Sequence, residues 1–329
     1  MKRLVLLLRF WAIVMAIALG PYKSATAAVS CQLYWGPGIN FGSIDTIDGN
    51  VSSASGTINY GCGDNGPEPI RVLMCIGIRD DPVAPGFDPR YMPLIDGSQP
   101  RYNLGYRLYQ DAARTTLLGS LNSGGSAGPL AIVLTIDPYW GGGYLPIYGD
   151  IKTFDQTGLP SGNYDAPLTV EMSYMVYNDA IGANCNNAQM LSGLSGGGRV
   201  GVNVTRQCHI NSVSDLNFGV VYGQLAQNLD GASTFQLACS TSLPYSVDLN
   251  DGQHSDGQTR RMQGTGGYLR YELYRDSQRT QPWGSMAGSH MLGTGTGSVQ
   301  THTIYGRVMP QPLPGDGVFS DTVILTITY

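Results

Sequence analysis

Charge is what this sequence has least of. Asp, Glu, Lys and Arg make up 13% of the 329 residues, about half the roughly 25% of an ordinary soluble domain. Lysine occurs only at Lys2, Lys23 and Lys152. A surface helix needs a charged or polar face opposite its apolar stripe, so this shortage all but excludes a helical protein. There is no CxxC or CxxH pair and the four histidines are scattered, which argues against a cysteine-ligated zinc site. No glycine-rich run follows a strand and opens a helix, so Ser195 to Gly198 reads as a flexible connection and not as a phosphate loop. Beyond the N-terminal segment, no run of roughly 18 apolar residues could span a bilayer. Glycine (45 residues) and tyrosine (20 residues) are plentiful, which points to an all-β, turn-rich body.

Residues 1–27 read as a secretory signal: Lys2, Arg3 and Arg9 form a basic start, Phe10 to Leu19 an apolar run, and Ala25-Thr26-Ala27 a cleavage site. The mature chain is then expected to begin near Ala28. Removing Lys2, Arg3, Arg9 and Lys23 leaves 15 basic against 24 acidic residues, a net charge of −9, so nucleic acid is not an expected partner. Six cysteines in an exported chain fit a disulfide protein.

An internal repeat sets the domains. Cys31 to Cys62 and Cys208 to Cys239 both span 31 positions, and each pair encloses Asn-Phe-Gly, at Asn40-Phe41-Gly42 and Asn217-Phe218-Gly219. This spacing reads as a shared disulfide frame, Cys31–Cys62 and Cys208–Cys239. Residues 102–120 match 267–285, with Leu104, Tyr106, Leu108, Tyr109, Asp111, Arg114, Thr115, Gly119 and Ser120 recurring 165 positions later. Ile147-Tyr148-Gly149 returns as Ile304-Tyr305-Gly306, and the run 168–174 returns as 324–329. Two copies of one fold follow: a signal at 1–27, a first domain at 28–206 and a second at 207–329. The falling offset places insertions at 79–97 and 137–146 in the first copy.

Period-two alternation and aromatic or β-branched enrichment predict strands near 30–34, 55–62, 70–78, 103–110, 130–137, 144–152 and 168–177. In the second copy they predict 207–211, 232–239, 244–249, 268–275, 299–308 and 319–329. The fold class expected is two immunoglobulin-like β-sandwiches.

The Cys…Asn-Phe-Gly…Cys frame, Tyr271 to Asp276 with Pro282-Trp283-Gly284, Gly293 to Gly297 with Ile304 to Val308, and Pro314-Gly315 with Phe319 to Tyr329 together resemble the spore coat protein U family. That family includes subunits of archaic chaperone-usher pili, and a two-copy chain is similar to the tip adhesin of Csu-type pili. The resemblance implies incomplete sandwiches, each filled by an N-terminal donor strand of the next subunit. It implies a periplasmic pilus chaperone, an outer-membrane usher, the next pilus subunit, and an abiotic or host surface as partners. It also implies export through the periplasm to the pilus tip, attachment and biofilm formation. The second copy ends with its sixth expected strand, so an open edge is expected there. Only Ala28, Val29 and Ser30 precede Cys31, too few for a donor strand, so a terminating position is expected.

Between the copies, Arg199 to Arg206 alternates apolar and polar residues, with Val200, Val202 and Val204 on one face. It reads as a strand completing the first copy in cis, or else as an ordinary linker. Cys75 and Cys185 have no counterparts in the second copy; either they form a further bridge, Cys75–Cys185, or they are free thiols.

Counting alternating strands back from that cis strand puts the segments 63–69, 111–146 and 178–197 at the free pole of the first copy, and 79–97 at the other pole. The expected surface-binding residues are Pro67, Pro69, Leu117, Leu118, Leu121, Tyr139, Trp140, Tyr144, Leu145, Met190, Leu191 and Leu194. They form an exposed apolar patch, or they cap the sandwich core. A lectin would use Tyr139, Trp140 and Tyr144 with Asp137 or Asp150, and a passive coat or fibre subunit is a third reading. A glycosidase needs paired carboxylates. Asp80, Asp81, Asp88, Asp96, Asp150 and Asp155 read instead as turn residues, while His209 adjoins a cysteine and His254 lies in a polar loop. The expectation is a non-enzyme with no cofactor and no metal.

Overall fold

A computed structural model describes residues 29–329, except 48, 80–85, 96–101, 124, 125, 154, 155, 157, 178, 181, 187–189 and 287. The expected signal, 1–27, lies outside the described residues. In the first unit the strands are β1 (Ser30–Trp35), β2 (Gly38–Ile44), β3 (Val51–Gly63), β4 (Ile70–Ile78), β5 (Arg90–Pro93), β6 (Asn103–Tyr109), β7 (Leu117–Leu118), β8 (Ala127–Gly128), β9 (Leu130–Ile136), β10 (Gly141–Lys152), β11 (Gly162–Val176) and β12 (Leu191–Val204). One sheet runs β1-β3-β10-β6-β7-β8, with β5 also on β6; the facing sheet runs β2-β12-β11-β4-β9. The second unit has β13 (Cys208–Val213), β14 (Leu229–Cys239), β15 (Pro244–Leu249), β16 (Arg260–Gly264), β17 (Gly267–Tyr274), β18 (Met291–Thr294), β19 (Val299–Val308) and β20 (Leu325–Thr328). Its sheets run β13-β14-β19-β17-β16 and β18-β15-β20. Both units are immunoglobulin-like sandwiches.

Alternation makes each sheet two-faced. In β3, Ile58 points into the core while Ser53, Ser55 and Thr57 face outward; in β14, Phe235 and Leu237 are buried and Thr234 is exposed. β4 breaks the pattern because it is covered twice. Val72, Met74, Ile76 and Ile78 face the main core. Leu73 and Cys75 face a second cluster with Met175, against which Leu121, Ala131, Cys185 and Met190 pack. Cys75 is bonded to Cys185, and Cys31–Cys62 and Cys208–Cys239 close the two frames across β1–β3 and β13–β14. The unbroken apolar run Val72–Ile76 is thus the signature of a strand buried on both faces.

Several repeated residues are structural clamps. Asp111 accepts from the Thr115 and Thr116 backbone N–H groups, as Asp276 does from Thr280 and Gln281. Arg114 donates from Nε to the Gly149 carbonyl and Arg279 from Nε to that of Gly306. Each arginine holds a positive φ, 57° and 58°, so the same loop is built twice.

The structure adds strands that alternation does not reveal: β2, β5, β7 and β8 in the first unit, and β16 and β18 in the second. β2 carries Gly38, Asn40, Gly42 and Ser43, which read as turn residues; Gly42 sits at φ 72° with its N–H on the Asn40 side chain. β20 is shorter than the expected 319–329.

β5 and β16 carry a repeated arginine that sequence reading missed. Arg90 is buried, with Nη2 donating to the carbonyls of Ile78 and Leu118 and Nη1 to that of Arg79, each at 3.0 Å. Arg260, also buried, donates to the carbonyls of Asn250 (2.9 Å) and Leu249 (3.0 Å). Arg90 pairs in register with Tyr106 and Arg260 with Tyr271, themselves repeat partners. A buried carbonyl left without its donor costs about 1–3 kcal/mol. Arg90→Met is therefore expected to destabilise the first unit by about 3 kcal/mol, read as a lower urea midpoint with an unchanged slope; an unchanged midpoint would refute this role.

Candidate functional site

The two units differ most at one strand position. In the first, β12 lies antiparallel to β11, from Gly162↔Val204 to Tyr174↔Leu191, and parallel to β2, from Arg199↔Gly38 to Val204↔Ile44. Val200, Val202 and Val204 are buried in the core beside Ile39, Phe41 and Ile44 of β2 and opposite Ala166, Tyr164 and Gly162 of β11. In the second unit, β20 pairs with β15 on one side, from Ser246↔Thr328 to Leu249↔Leu325, and no strand pairs its other edge among the described residues. The counterparts of Ile39, Phe41 and Ile44 are Leu216, Phe218 and Val221, half-buried at the border of the second core. Leu325 and Ile327, the counterparts of Val170 and Met172, are likewise half-buried. Tyr174 is 8% exposed, whereas its counterpart Tyr329 is 53% exposed. Val220, Tyr222 and Ile324, next to these residues in sequence, are exposed apolar residues. Half-buried apolar residues thus border an unpaired strand edge at the position that β12 occupies in the first unit.

The second candidate surface is the pole of the first unit away from the second. Strand directions put Cys62–Asp64, the turn Asp137–Trp140, Ile70, Val176 and Leu191 at this end. The Tyr139 N–H donates to the carboxylate of buried Asp64 at 3.4 Å, and Arg71 pairs with Asp179 at 2.8 Å. In the turn, the Trp140 N–H donates to the Asp137 carbonyl at 3.1 Å, Pro138 follows Asp137, and Tyr139 has φ 83°. Proline followed by a positive φ is a type II pattern that normally puts glycine at the second place. A tyrosine there is strained by about 1–3 kcal/mol, yet its ring is 66% exposed beside Trp140 at 58%.

The structure divides the twelve expected surface residues. Pro67, Pro69, Tyr139, Trp140, Tyr144 and Leu191 are exposed at or near the free pole. Leu145 and Leu194 are half-buried against the main core, and Met190 lies against the second cluster. Leu117, Leu118 and Leu121 are placed elsewhere, which corrects the expectation that all of 111–146 reaches the pole. Leu117 pairs with Tyr109 midway along the sheet, Leu118 is fully buried, and the Ile78 N–H donates to Gly119 at the opposite end of β4. That loop turns back toward β4: Leu118 enters the main core, Leu121 packs on the second face of β4, and Leu117 is half-buried. The described part of 79–97 lies at the pole nearer the second unit, with Leu94 bridged to Tyr164.

Of the expected acidic residues, the described ones, Asp88 and Asp150, flank Arg107 and each is engaged by a different partner. Asp88 is held by Arg107 at 2.5 Å. Asp150 is buried and accepts from the Tyr109 hydroxyl at 3.0 Å; burial first, and then that carboxylate, pushes Tyr109 up to about 12, so the tyrosine remains the donor throughout the neutral range. This also removes Asp150 from the sugar-accepting role considered for it. Asp80, Asp81, Asp96 and Asp155 lie outside the described residues. His209 contacts Asp45 at 2.5 Å across the two units, and His254 contacts Asp321 at 3.0 Å. Among the described residues no group of three or more His, Cys, Asp or Glu could hold a metal ion.

A family model described as Spore Coat Protein U domain matches residues 21–171 and 197–326. The chain is 31% identical over 143 residues to Protein U of Myxococcus xanthus, covering 39% of this chain and 80% of that protein. Its fold is similar, with a TM-score of 0.51 and 18% identity, to a structure from Acinetobacter baumannii. That structure is described as a CsuC–CsuE chaperone–tip adhesion subunit pre-assembly complex from archaic chaperone-usher Csu pili; the match covers 91% of this chain and 100% of that one.

Proposed function

Because the chain belongs to the Spore Coat Protein U domain family, we propose that it is the adhesive end subunit of a chaperone-usher pilus. One observation carries this reading: the strand position that β12 fills in the first unit lies open beside β20 in the second. The two domains are 28–206 and 207–329, the first completed in cis by 199–206. The first unit then has no vacancy, while the second must be capped before it is stable. A periplasmic chaperone holds the groove during export, an outer-membrane usher exchanges it, and the next subunit's N-terminal strand takes its place. That strand runs antiparallel to β20 and sets apolar residues at alternate positions, as Val200, Val202 and Val204 are set in the first unit. A chain with one acceptor position and its first unit already filled ends a fibre. The likeness in fold to a structure whose description includes a tip subunit is in keeping with this.

Attachment is assigned to the free pole. Tyr139, Trp140, Leu191, Pro67 and Pro69 offer apolar area with little charge to desolvate, and burying such area against a surface yields roughly 25 cal/mol per Å² before association costs. Biofilm formation on abiotic or host surfaces follows from adhesion that needs no particular receptor. Strain at Tyr139 supplies the test. Tyr139→Gly combined with Trp140→Ser is expected to leave stability unchanged or raised by about 1 kcal/mol, to leave pilus assembly intact, and to reduce attachment to polystyrene several-fold. Full attachment by the double variant would remove this turn from the adhesive surface.

A further inference from the structure

Next to the pole, the outward face of β1, β3 and β10 carries a row of side chains with no counterpart in the second unit. Trp35, Asn59 and Tyr144 are register partners across the three strands. A bulge between Leu33 and Trp35 brings Trp35 opposite Asn59, and bulges are a usual means of re-aiming a side chain. Trp35 is 73% and Tyr144 74% exposed. One row nearer the pole, the rings of Tyr34 and Trp140 lie over Gly61 and Gly142, which are themselves register partners. The Tyr34 ring lies 2.8 Å from where a Gly61 Cβ would stand, and the Trp140 ring 2.8 Å from that of Gly142, so only glycines let the rings rest on the sheet there.

The repeat provides an internal reference. The second unit keeps the bulge, between Ile210 and Ser212, but its matching row is Ser212, Gln236 and Thr301. These form an ordinary polar ladder, with Ser212 bonded to Gln236 at 3.3 Å and Gln236 to Thr301 at 3.5 Å. In the first unit two of the three places are large exposed rings, which add nothing to the folded core. Between them is an open depression of about 470 Å³ with Ser55, Thr57 and Asn59 on its floor, a volume typical of small-molecule sites. Among the described residues these three side chains make no hydrogen bond, so their donors and acceptors are available. The lining contains no Asp, Glu, Lys, Arg or His.

We infer that this face is a binding site for a neutral polysaccharide chain, distinct from the apolar pole and additional to the proposed adhesion. Sugar rings present apolar C–H faces, which stack on Trp35 and Tyr144, and hydroxyl groups, which exchange hydrogen bonds with Ser55, Thr57 and Asn59. A purely apolar surface is the poorer occupant, because covering those polar groups without partners costs free energy. A charged glycan would find no opposite charge in the lining.

The test uses the full chain co-purified with its pilus chaperone, titrated with cellohexaose, chitohexaose and mannohexaose and read by tryptophan fluorescence and saturation-transfer NMR. The expected result is saturable binding of at least one oligosaccharide. Binding should weaken about tenfold in Trp35→Ala and in Tyr144→Ala, and less in Asn59→Ala, and should change little when salt is raised several-fold. Trp35 and Tyr144 are exposed, so equal recovery with the chaperone is expected and identifies folded variants. Saturable binding by none of the three sugars would overturn the assignment, as would binding insensitive to Trp35→Ala and Tyr144→Ala. Loss of adhesion to polystyrene in Trp35→Ala with no sugar binding would also overturn it, in favour of an apolar surface. These outcomes are separable from failure of the pilus reading, which would show as loss of chaperone recovery or of fibre incorporation in the unaltered chain.

Discussion

A chain extended after Tyr329 by a flexible loop of about five residues and a copy of residues 196–206 is expected to fold without a chaperone, with the second unit's thermal midpoint raised by roughly 10–20 °C. The appended strand has the polarity that β12 has in the first unit, antiparallel to β20 and parallel to 216–221, and a short hairpin loop delivers that direction. Its three valines would enter the cleft bordered by Leu216, Phe218 and Val221, the counterparts of the β2 residues beside Val200 to Val204. Burying a valine is worth about 1.5–3 kcal/mol, so three give roughly 5–9 kcal/mol before the entropy of ordering the strand. If about half survives, the midpoint moves by the stated amount, since about 1 kcal/mol shifts a domain of this size by roughly 4 °C. The same extension with Val200, Val202 and Val204 replaced by serine keeps the backbone hydrogen bonds but not the burial, and should recover little of the gain. The extended chain should also be poorly incorporated into pili, its acceptor already occupied.

Val202→Asp is expected to be the most damaging single substitution in the first unit. The side chain is buried in the first unit's apolar core, opposite Tyr164 in register. An ionised carboxylate there has no partner, and an unpaired buried charge costs several kcal/mol in addition to the lost valine burial. Against a total stability of about 5–15 kcal/mol, this should unfold the unit. Limited proteolysis should then degrade the first unit's fragment while chaperone-bound 207–329 survives. Asn203→Asp, one residue away on the exposed face, should change stability by less than about 0.5 kcal/mol. If both variants are equally resistant to protease, the strand does not complete the first unit.

Much of this architecture is written in short-range pattern. The equal cysteine spacings, the recurrence of Leu104 to Ser120 and the alternation at Val200, Val202 and Val204 are visible because disulfide frames, clamped loops and two-faced strands each require particular residues at fixed intervals. Strands 70–78 and 244–249 are legible to the residue because Gly or Pro and polar turns bound them. β2 is not, since Gly38, Asn40, Gly42 and Ser43 carry turn chemistry and become a strand only by pairing with β12, far away in sequence. The same limit misplaced Leu117, Leu118 and Leu121. Apolar residues in a glycine-bounded loop have one appearance whether they face water, the main core as Leu118 does, or the second buried face of β4 as Leu121 does. The run Val72 to Ile76 held the missing signal, as five consecutive apolar residues in a strand need cover on both sides. The outward face of Trp35 is not legible in the sequence, because a bulge shifts its register and alternation counted through a bulge assigns the wrong face.

The central claim is that the second unit's groove joins the chain to a fibre whose free end is the first unit. Immunogold electron microscopy of isolated pili, with an antibody raised against the first unit, tests this most directly. The account predicts a single label at the free end of each fibre; labels recurring along the shaft would contradict it.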